Sequence, residues 1–191
     1  MPEQSANVGG TVRESKQASA PVADDARRRM FRTVIHGSIT DVWHEITRSD
    51  APIPCFFNTR MDRSGAAPGA RLRMRSGDGA YTSIVGDILE WDPPRRFAHT
   101  FRFTQLDDPP CVVRYDLKEL AEGVEFTLTV DEITPGTKTA KQMLQGSPLI
   151  VATLKATIER RPIPKMMRFI HVMSRLMQPL TPKRCRSVNW S

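Results

Sequence analysis

The strongest constraint on the fold is a series of segments between residues 70 and 133 in which apolar and polar residues alternate. In the first segment Leu72 and Met74 alternate with arginines, and this period of two is typical of a strand with one buried face. Four more segments follow, at 80–91, 96–103, 112–120 and 124–133, and short turns rich in Gly, Asp and Pro separate them. Strands at intervals of about 10–15 residues, joined by tight turns, predict one antiparallel meander.

Other segments before and after the meander predict a strand and two helices. A short strand is predicted at 30–36, and Gly37 ends it. A first helix follows, with an apolar inner face made of Ile39, Val42, Trp43 and Ile46. The longest helix is predicted over 137–160, where one apolar face carries Met143, Ile150, Val151, Leu154 and Ile158. Pro148 is expected to kink the first half of this helix or to reset its start.

The net charge of +7 is unevenly distributed along the 191 residues. Residues 1–30 carry +1 and residues 160–191 carry +8, the latter from eight basic and no acidic side chains, which leaves about −2 for the stretch between them. We therefore expect an anionic partner to bind the C-terminal part, and we expect the globular part not to bind nucleic acid. Composition predicts a disordered tail at 1–28, a domain at 29–160 and a basic amphipathic extension at 161–191.

Several classes of protein are disfavoured by what the sequence lacks. It has no apolar run long enough to span a membrane and no secretory signal at its N-terminus. Its cysteines, Cys55, Cys111 and Cys185, have neither metal-binding nor redox spacing, and together with the missing signal they predict reduced thiols in the cytoplasm. No zinc cluster, phosphate-binding loop, nucleophile elbow or catalytic pair of carboxylates is present, so we expect no metal and no cofactor.

The stretch 68–101 resembles the signature of the SRPBCC superfamily, and its closest branch is the one named for the activator of the heat-shock-protein-90 ATPase. The matching positions are Pro68-Gly69, Asp78-Gly79, Gly86, Pro93-Pro94, Phe97 and Phe101, together with Val42-Trp43 in the first helix. The resemblance covers residues 30–160. It implies an α+β helix-grip (START-like) fold, in which a curved antiparallel sheet of six to seven strands wraps on a long C-terminal helix, with two short helices after the first strand.

The chain departs from this branch at two places. Gly146-Ser147 stands where the branch often has Gly-Trp, and Gly123-Val124 stands where it often has Gly-Thr. An aromatic residue near the expected cavity mouth is therefore missing, and the ligand preference of the branch is not carried over to this chain.

A curved sheet that wraps on one helix is expected to leave space on its concave face for an apolar small-molecule ligand. The candidate ligand-binding residues are the large inward-facing positions and one histidine: Trp43, Phe57, Met74, Tyr81, His99, Phe101, Tyr115, Met143, Ile150 and Leu154. The alternative is that these side chains only pack the core, since sequence pattern does not distinguish a residue that lines a void from one that fills it.

His99 is the polar residue of greatest interest, because it alternates with Phe97, Phe101 and Phe103 on a face predicted to point inward. A neutral imidazole there can bind a ligand oxygen or act as a general base, or it can be satisfied by a backbone carbonyl. Arg73 and Arg114 are alternative anchors for a carboxylate, although alternation favours a solvent-exposed position for Arg73.

Three functions remain open from the sequence. The first is binding of a lipid, polyketide or similar hydrophobic metabolite. The second is an enzyme of the same fold, cyclase- or hydrolase-like, with His99 or Tyr81 as acid or base. The third is a protein-interaction module, as the name of the branch implies.

The segment 165–180 predicts a basic amphipathic helix of its own. Its apolar residues form a wide stripe consisting of Met166, Phe169, Ile170, Met173, Leu176 and Met177, flanked by Lys165, Arg168, His171 and Arg175. Such a helix can lie on an anionic membrane or in a groove of a partner protein. The alternative is that it folds back on its own domain or on a second copy in a homodimer.

Overall fold

A computed structural model describes residues 27–190 of the chain. Residues 1–26, most of the predicted disordered tail, lie outside the described residues. The strands are β1 (Arg29–Ile35), β2 (Arg60–Arg63), β3 (Arg71–Arg75), β4 (Thr82–Asp92), β5 (Arg96–Phe103), β6 (Cys111–Leu120) and β7 (Gly123–Asp131). The helices are α1 (Ile39–Thr47), α2 (Lys138–Ile158) and α3 (Lys165–Met177), with short 3-10 turns at Pro54–Phe56, Gln178–Leu180, Lys183–Cys185 and Ser187–Trp190.

The seven strands form one antiparallel sheet in the order β1-β7-β6-β5-β4-β3-β2. Strands 2 to 7 follow each other as a meander, and β1 returns to pair with the last strand, with Ile35 opposite Val124. One face of the sheet packs against α1 and α2, and the core between them contains Phe97, Phe126 and Leu154, all fully buried. The α+β helix-grip prediction is confirmed.

The long helix α2 passes through Pro148 without a new start. It begins at Lys138, where the side-chain oxygen of Thr137 accepts a hydrogen bond from the backbone N–H of Ala140 and so caps the helix. The predicted reset of the helix at Pro148 is therefore wrong. Pro148 lies on the exposed side of α2, where water can replace the backbone hydrogen bond that proline cannot donate.

Strand β2 was not predicted. Its four residues include only one that is fully buried, Met61, so the sequence shows no alternating pattern of useful length. The strand exists because it pairs with β3 at the edge of the sheet, with Met61 opposite Met74. Phe57 and Asn58 just before it have positive φ values of 56° and 60°, which turn the chain into this edge position.

Strand β4 approaches β5 unusually closely at Gly86. A Cβ atom at this position would lie 1.8 Å from the carbonyl oxygen of Thr100, so only glycine fits. The pairing register between the two strands shifts between Ile88 and Glu90, as in a β-bulge. This irregularity lies between two inner strands of the sheet.

The C-terminal extension packs against the domain. Met167 of α3 and Cys185 are buried, and the His171 ring nitrogen Nε2 lies 3.0 Å from the carbonyl oxygen of Pro54. Arg184 forms two hydrogen bonds to the carboxylate of Asp107, at 2.6 and 3.0 Å. Within residues 27–190 no helix is long and apolar enough to cross a bilayer.

Candidate ligand-binding cavity

A cavity of about 590 Å³ lies between the concave face of the sheet and the helices α2 and α3. Its sheet side comes from β3 to β7, its helix side from the middle of α2, and part of its rim from the 3-10 turn at Pro54–Phe56 and the start of α3. The lining residues are Phe56, Phe57, Met74, Ile84, His99, Phe101, Phe103, Val113, Tyr115, Leu128, Gln142, Met143, Gln145, Gly146, Ser147, Leu149, Ile150, Met166 and Ile170. None of these described residues carries a formal charge at neutral pH, so the cavity is apolar with a few polar groups.

Seven of the ten candidate residues line this cavity: Phe57, Met74, His99, Phe101, Tyr115, Met143 and Ile150. They come together because β5 and β6 turn the same faces inward. In the register of these strands His99 is opposite Val113, and Phe101 is opposite Cys111.

The other three candidates lie elsewhere. Trp43 packs edge-on against Trp91, with ring centroids 5.2 Å apart, and Leu154 is fully buried in the core toward the C-terminal end of α2. Tyr81 precedes β4, forms a bridge with Arg186 and lines a second, more polar cavity of about 640 Å³. The lining of the first cavity is therefore centred on the middle of α2 and not on Trp43 and Leu154.

Several lining residues were missed by the sequence analysis. Val113 and Leu128 could have been found from strand pairing, since Val113 is opposite His99 and Leu128 is opposite Tyr115. Met166 and Ile170 belong to α3, and no local pattern in the sequence indicates that this helix docks at the cavity.

His99 is buried and its two ring nitrogens differ in their surroundings. Nδ1 lies 2.7 Å from the carbonyl oxygen of Thr100, which can only accept, so Nδ1 carries the proton and donates. Nε2 is then an acceptor, and it has no hydrogen-bond partner among the described residues. Burial lowers the pKa of His99 to about 4, so the ring is neutral at physiological pH. The rings of Phe97 and Tyr115 pack beside it at 5.2 and 6.0 Å.

Ser147 is the second unpartnered polar residue of the cavity. Its hydroxyl oxygen is buried without a hydrogen bond to any described residue. The neighbouring Gly146 lets the Phe57 ring pack closely on α2, since a Cβ at this position would lie 3.3 Å from Phe57 Cζ. The small residues at 146 and 147 therefore leave room where the related branch often has a tryptophan.

Among residues 27–190, no charged side chain that could anchor a carboxylate lines the cavity. Arg114 is 2.9 Å from Glu90 in an ion pair outside the cavity lining. Arg73 is half-buried on β3, on the face opposite to that of Leu72 and Met74. Burial raises the pKa of Tyr115, so its hydroxyl stays protonated. Residues 27–190 contain no group of His, Cys, Asp and Glu side chains placed to hold a metal ion.

A curved antiparallel sheet closed by a long helix over an apolar cavity defines a helix-grip protein. Residues 36–159 match the model of the family described as "Activator of Hsp90 ATPase homolog 1-like protein", and the chain belongs to this family. No curated protein sequence matches the chain.

Solved structures with the same fold are similar to this chain at low sequence identity. CalU16 from Micromonospora echinospora is 19% identical, with a TM-score of 0.58 and coverage of 80% of this chain and 87% of that one. Protein MLL2253 from Mesorhizobium loti is 16% identical, with a TM-score of 0.59 and coverage of 71% and 99%. Aha1 from Colwellia psychrerythraea, solved in solution as a dimer, is 12% identical, with a TM-score of 0.56 and coverage of 69% and 96%.

Proposed function

We propose that the chain binds a neutral, largely apolar small molecule, such as a lipid, a polyketide or a similar metabolite, and that the ligand donates a hydrogen bond to His99. The observation that carries this proposal is the unpartnered Nε2 of His99 in the wall of an apolar cavity of about 590 Å³. Ligand cavities of roughly 300–1,000 Å³ with a few polar groups are typical of small-molecule sites.

The two unpartnered polar atoms, His99 Nε2 and Ser147 Oγ, support a ligand with polar groups. A buried polar atom without a partner costs about 1–3 kcal/mol, and most such atoms in folded proteins are paired. A ligand hydroxyl that donates to His99 Nε2 removes this cost, and Ser147 can pair with a second ligand oxygen. Affinity and orientation of the ligand would then come from the same two groups.

Charge supports a neutral ligand over an anion. The lone pair of His99 Nε2 repels a carboxylate, and no basic side chain lines the cavity among the described residues. Burying an unpaired charge is far more costly than burying a neutral polar group. We therefore expect alcohols and phenols to bind and carboxylates of the same shape to be excluded.

The low pKa of His99 favours binding over catalysis. A histidine whose pKa is about 4 is a weak general base at neutral pH. Tyr81, the alternative acid or base, lines the second cavity and not the first.

The experiment compares three probes of one shape, namely 2-naphthol, naphthalene and 2-naphthoate, by calorimetry on the full chain. We expect 2-naphthol to bind about tenfold tighter than naphthalene, which corresponds to one hydrogen bond, and we expect no binding of 2-naphthoate. His99→Phe should bring the affinities for 2-naphthol and naphthalene together.

Two variants serve as controls. Ile150→Trp should fill the cavity and abolish binding of both neutral probes. Tyr81→Phe should leave the affinities for all three probes unchanged. Equal affinity of the wild-type chain for 2-naphthol and naphthalene would exclude the role of His99. Undiminished binding by Ile150→Trp would exclude this cavity as the site.

A further inference from the structure

The outward face of α3 is an apolar surface that no other described residue covers, and we call it the outer stripe. It consists of Met166, Phe169, Val172, Leu176 and Met177, each more than half exposed. Soluble domains rarely expose so many large apolar side chains together, and such a patch usually marks an interaction site.

The outer stripe does not pack on its own domain, because the opposite face of α3 makes that contact. Met167 is fully buried, Ile170 lines the cavity, and His171 contacts the backbone of Pro54. The helix is apolar on both sides, and only one side is used by the domain.

The charges beside the outer stripe are basic. Lys165 and Arg168 are exposed on α3, and neither forms an ion pair with a described acidic residue. Residues 160–191 contain eight basic and no acidic side chains. A partner of this surface must therefore offer both an apolar region for the outer stripe and negative charge for the basic side chains.

The outer stripe also borders the cavity. Met166 belongs to both, and Ile170, one turn further along α3, lines the cavity as well. A partner that covers the outer stripe therefore lies next to the cavity rim at the start of α3.

We propose that α3 docks this protein on an anionic phospholipid surface, with the outer stripe in the boundary between headgroups and acyl chains and Lys165 and Arg168 at the phosphates. A helix with one apolar face and flanking basic residues binds membranes in this way. A second copy fits less well, because a two-fold interface would bring the basic flanks of both copies together. The proposal does not depend on which ligand the cavity holds.

Flotation of the full chain with vesicles tests the proposal. We expect the chain to float with vesicles of phosphatidylcholine and phosphatidylserine, much less with phosphatidylcholine alone, and less as salt is added. Phe169→Ser combined with Leu176→Ser should lower partitioning about a hundredfold, from the loss of two buried apolar side chains. Lys165→Gln combined with Arg168→Gln should lower it about thirtyfold on anionic vesicles.

Matched controls distinguish lipid binding by the outer stripe from non-specific apolar adsorption and from misfolding of the variants. Leu89→Ser and Val188→Ser remove exposed apolar residues away from α3 and should leave flotation unchanged. Sedimentation without lipid gives the mass of the wild-type chain and of the Phe169/Leu176 variant. The proposal is overturned by absence of flotation, by equal flotation with neutral vesicles, or by flotation that survives both α3 variants. A dimer that this variant converts to a monomer, with no lipid binding, would instead assign the outer stripe to a second copy.

Discussion

The two ring nitrogens of His99 have different surroundings, and this difference sets the protonation state of the residue. The carbonyl oxygen of Thr100 on the same strand accepts the hydrogen bond of Nδ1, whereas Nε2 has no hydrogen-bond partner among the described residues. Protonating the ring requires a charge in an apolar site without a counter-ion. Low pH should therefore destabilise this fold more than it destabilises an average domain whose histidines are exposed.

The first prediction concerns pH. The pKa of His99 is about 4 in the folded chain against an ordinary value of 6.5, so the unfolded chain binds more protons between these values and stability falls as pH falls through this window. We expect about 2 kcal/mol of unfolding free energy to be lost between pH 7 and pH 5 through this residue. Urea denaturation of the wild-type chain and of His99→Phe at both pH values measures it. An equal loss in both proteins would contradict the assignment, since the other titrating groups are shared.

Ser147 gives a second prediction for a single side chain. Because its hydroxyl is buried without a partner, Ser147→Ala should leave stability unchanged or raise it by up to about 1 kcal/mol in the absence of ligand. Urea denaturation measures the change. A loss above about 1 kcal/mol would mean that the hydroxyl has a partner in solution. Thr127→Ala, at a buried threonine outside the cavity lining, is the comparison.

Among the elements, β5 was the most predictable from sequence and β2 the least. The alternation of Phe97, His99 and Phe101 identifies the inward face of β5 directly, and with it two lining residues of the cavity, His99 and Phe101. Strand β2 exists only through its pairing with β3, which four largely polar residues do not encode. The sequence also did not distinguish residues that line the cavity from residues that fill the core, because this depends on where the sheet and α2 leave space between them. Leu154, for example, was expected to line the cavity but is fully buried in the core.

The contact between β4 and β5 yields the third prediction. Gly86→Ala would place a Cβ against the carbonyl oxygen of Thr100, so β4 must move away from β5. We expect a loss of about 3 kcal/mol or more in urea denaturation. Gly65→Ala is the matched control, because the added Cβ would make only an ordinary contact with Ala70 at 3.4 Å and should change stability by less than about 0.5 kcal/mol. Similar stabilities for both variants would contradict the close approach.

For the molecule as a whole, the main question is how firmly the extension is attached. Residues 161–190 contact the domain through the side chains of Met167, His171 and Cys185 and through the Arg184–Asp107 pair. Polar contacts add to these: Arg186 forms a bridge with Tyr81, Gln178 donates to Asp78, and Ser187 hydrogen-bonds to Ala80 and Thr82. Among the described residues of the extension only Met167 and Cys185 are buried apolar side chains, far fewer than in the core. Local detachment should therefore cost less free energy than global unfolding.

The three free cysteines make this difference measurable and give the fourth prediction. Cys55 and Cys111 are buried in the core of the domain, whereas Cys185 belongs to the extension and is buried where the extension packs against the domain. We expect a thiol reagent to modify Cys185 first under native conditions. Met167→Ala should accelerate the Cys185 reaction while affecting the other two much less, as peptide mapping by mass spectrometry can show. Simultaneous reaction of all three thiols would mean that the extension and the domain unfold as one unit.

Two lining residues, Met166 and Ile170, lie beyond residue 159, where the match to the family ends. The shared scaffold thus supplies the floor and sides of the site, and a segment outside the family pattern completes it. A fragment that ends at residue 159 would keep the sheet and α2 but would leave the cavity open to water at the position of α3. Any ligand specificity measured on such a fragment would therefore describe a cavity with a different boundary from that of the full chain.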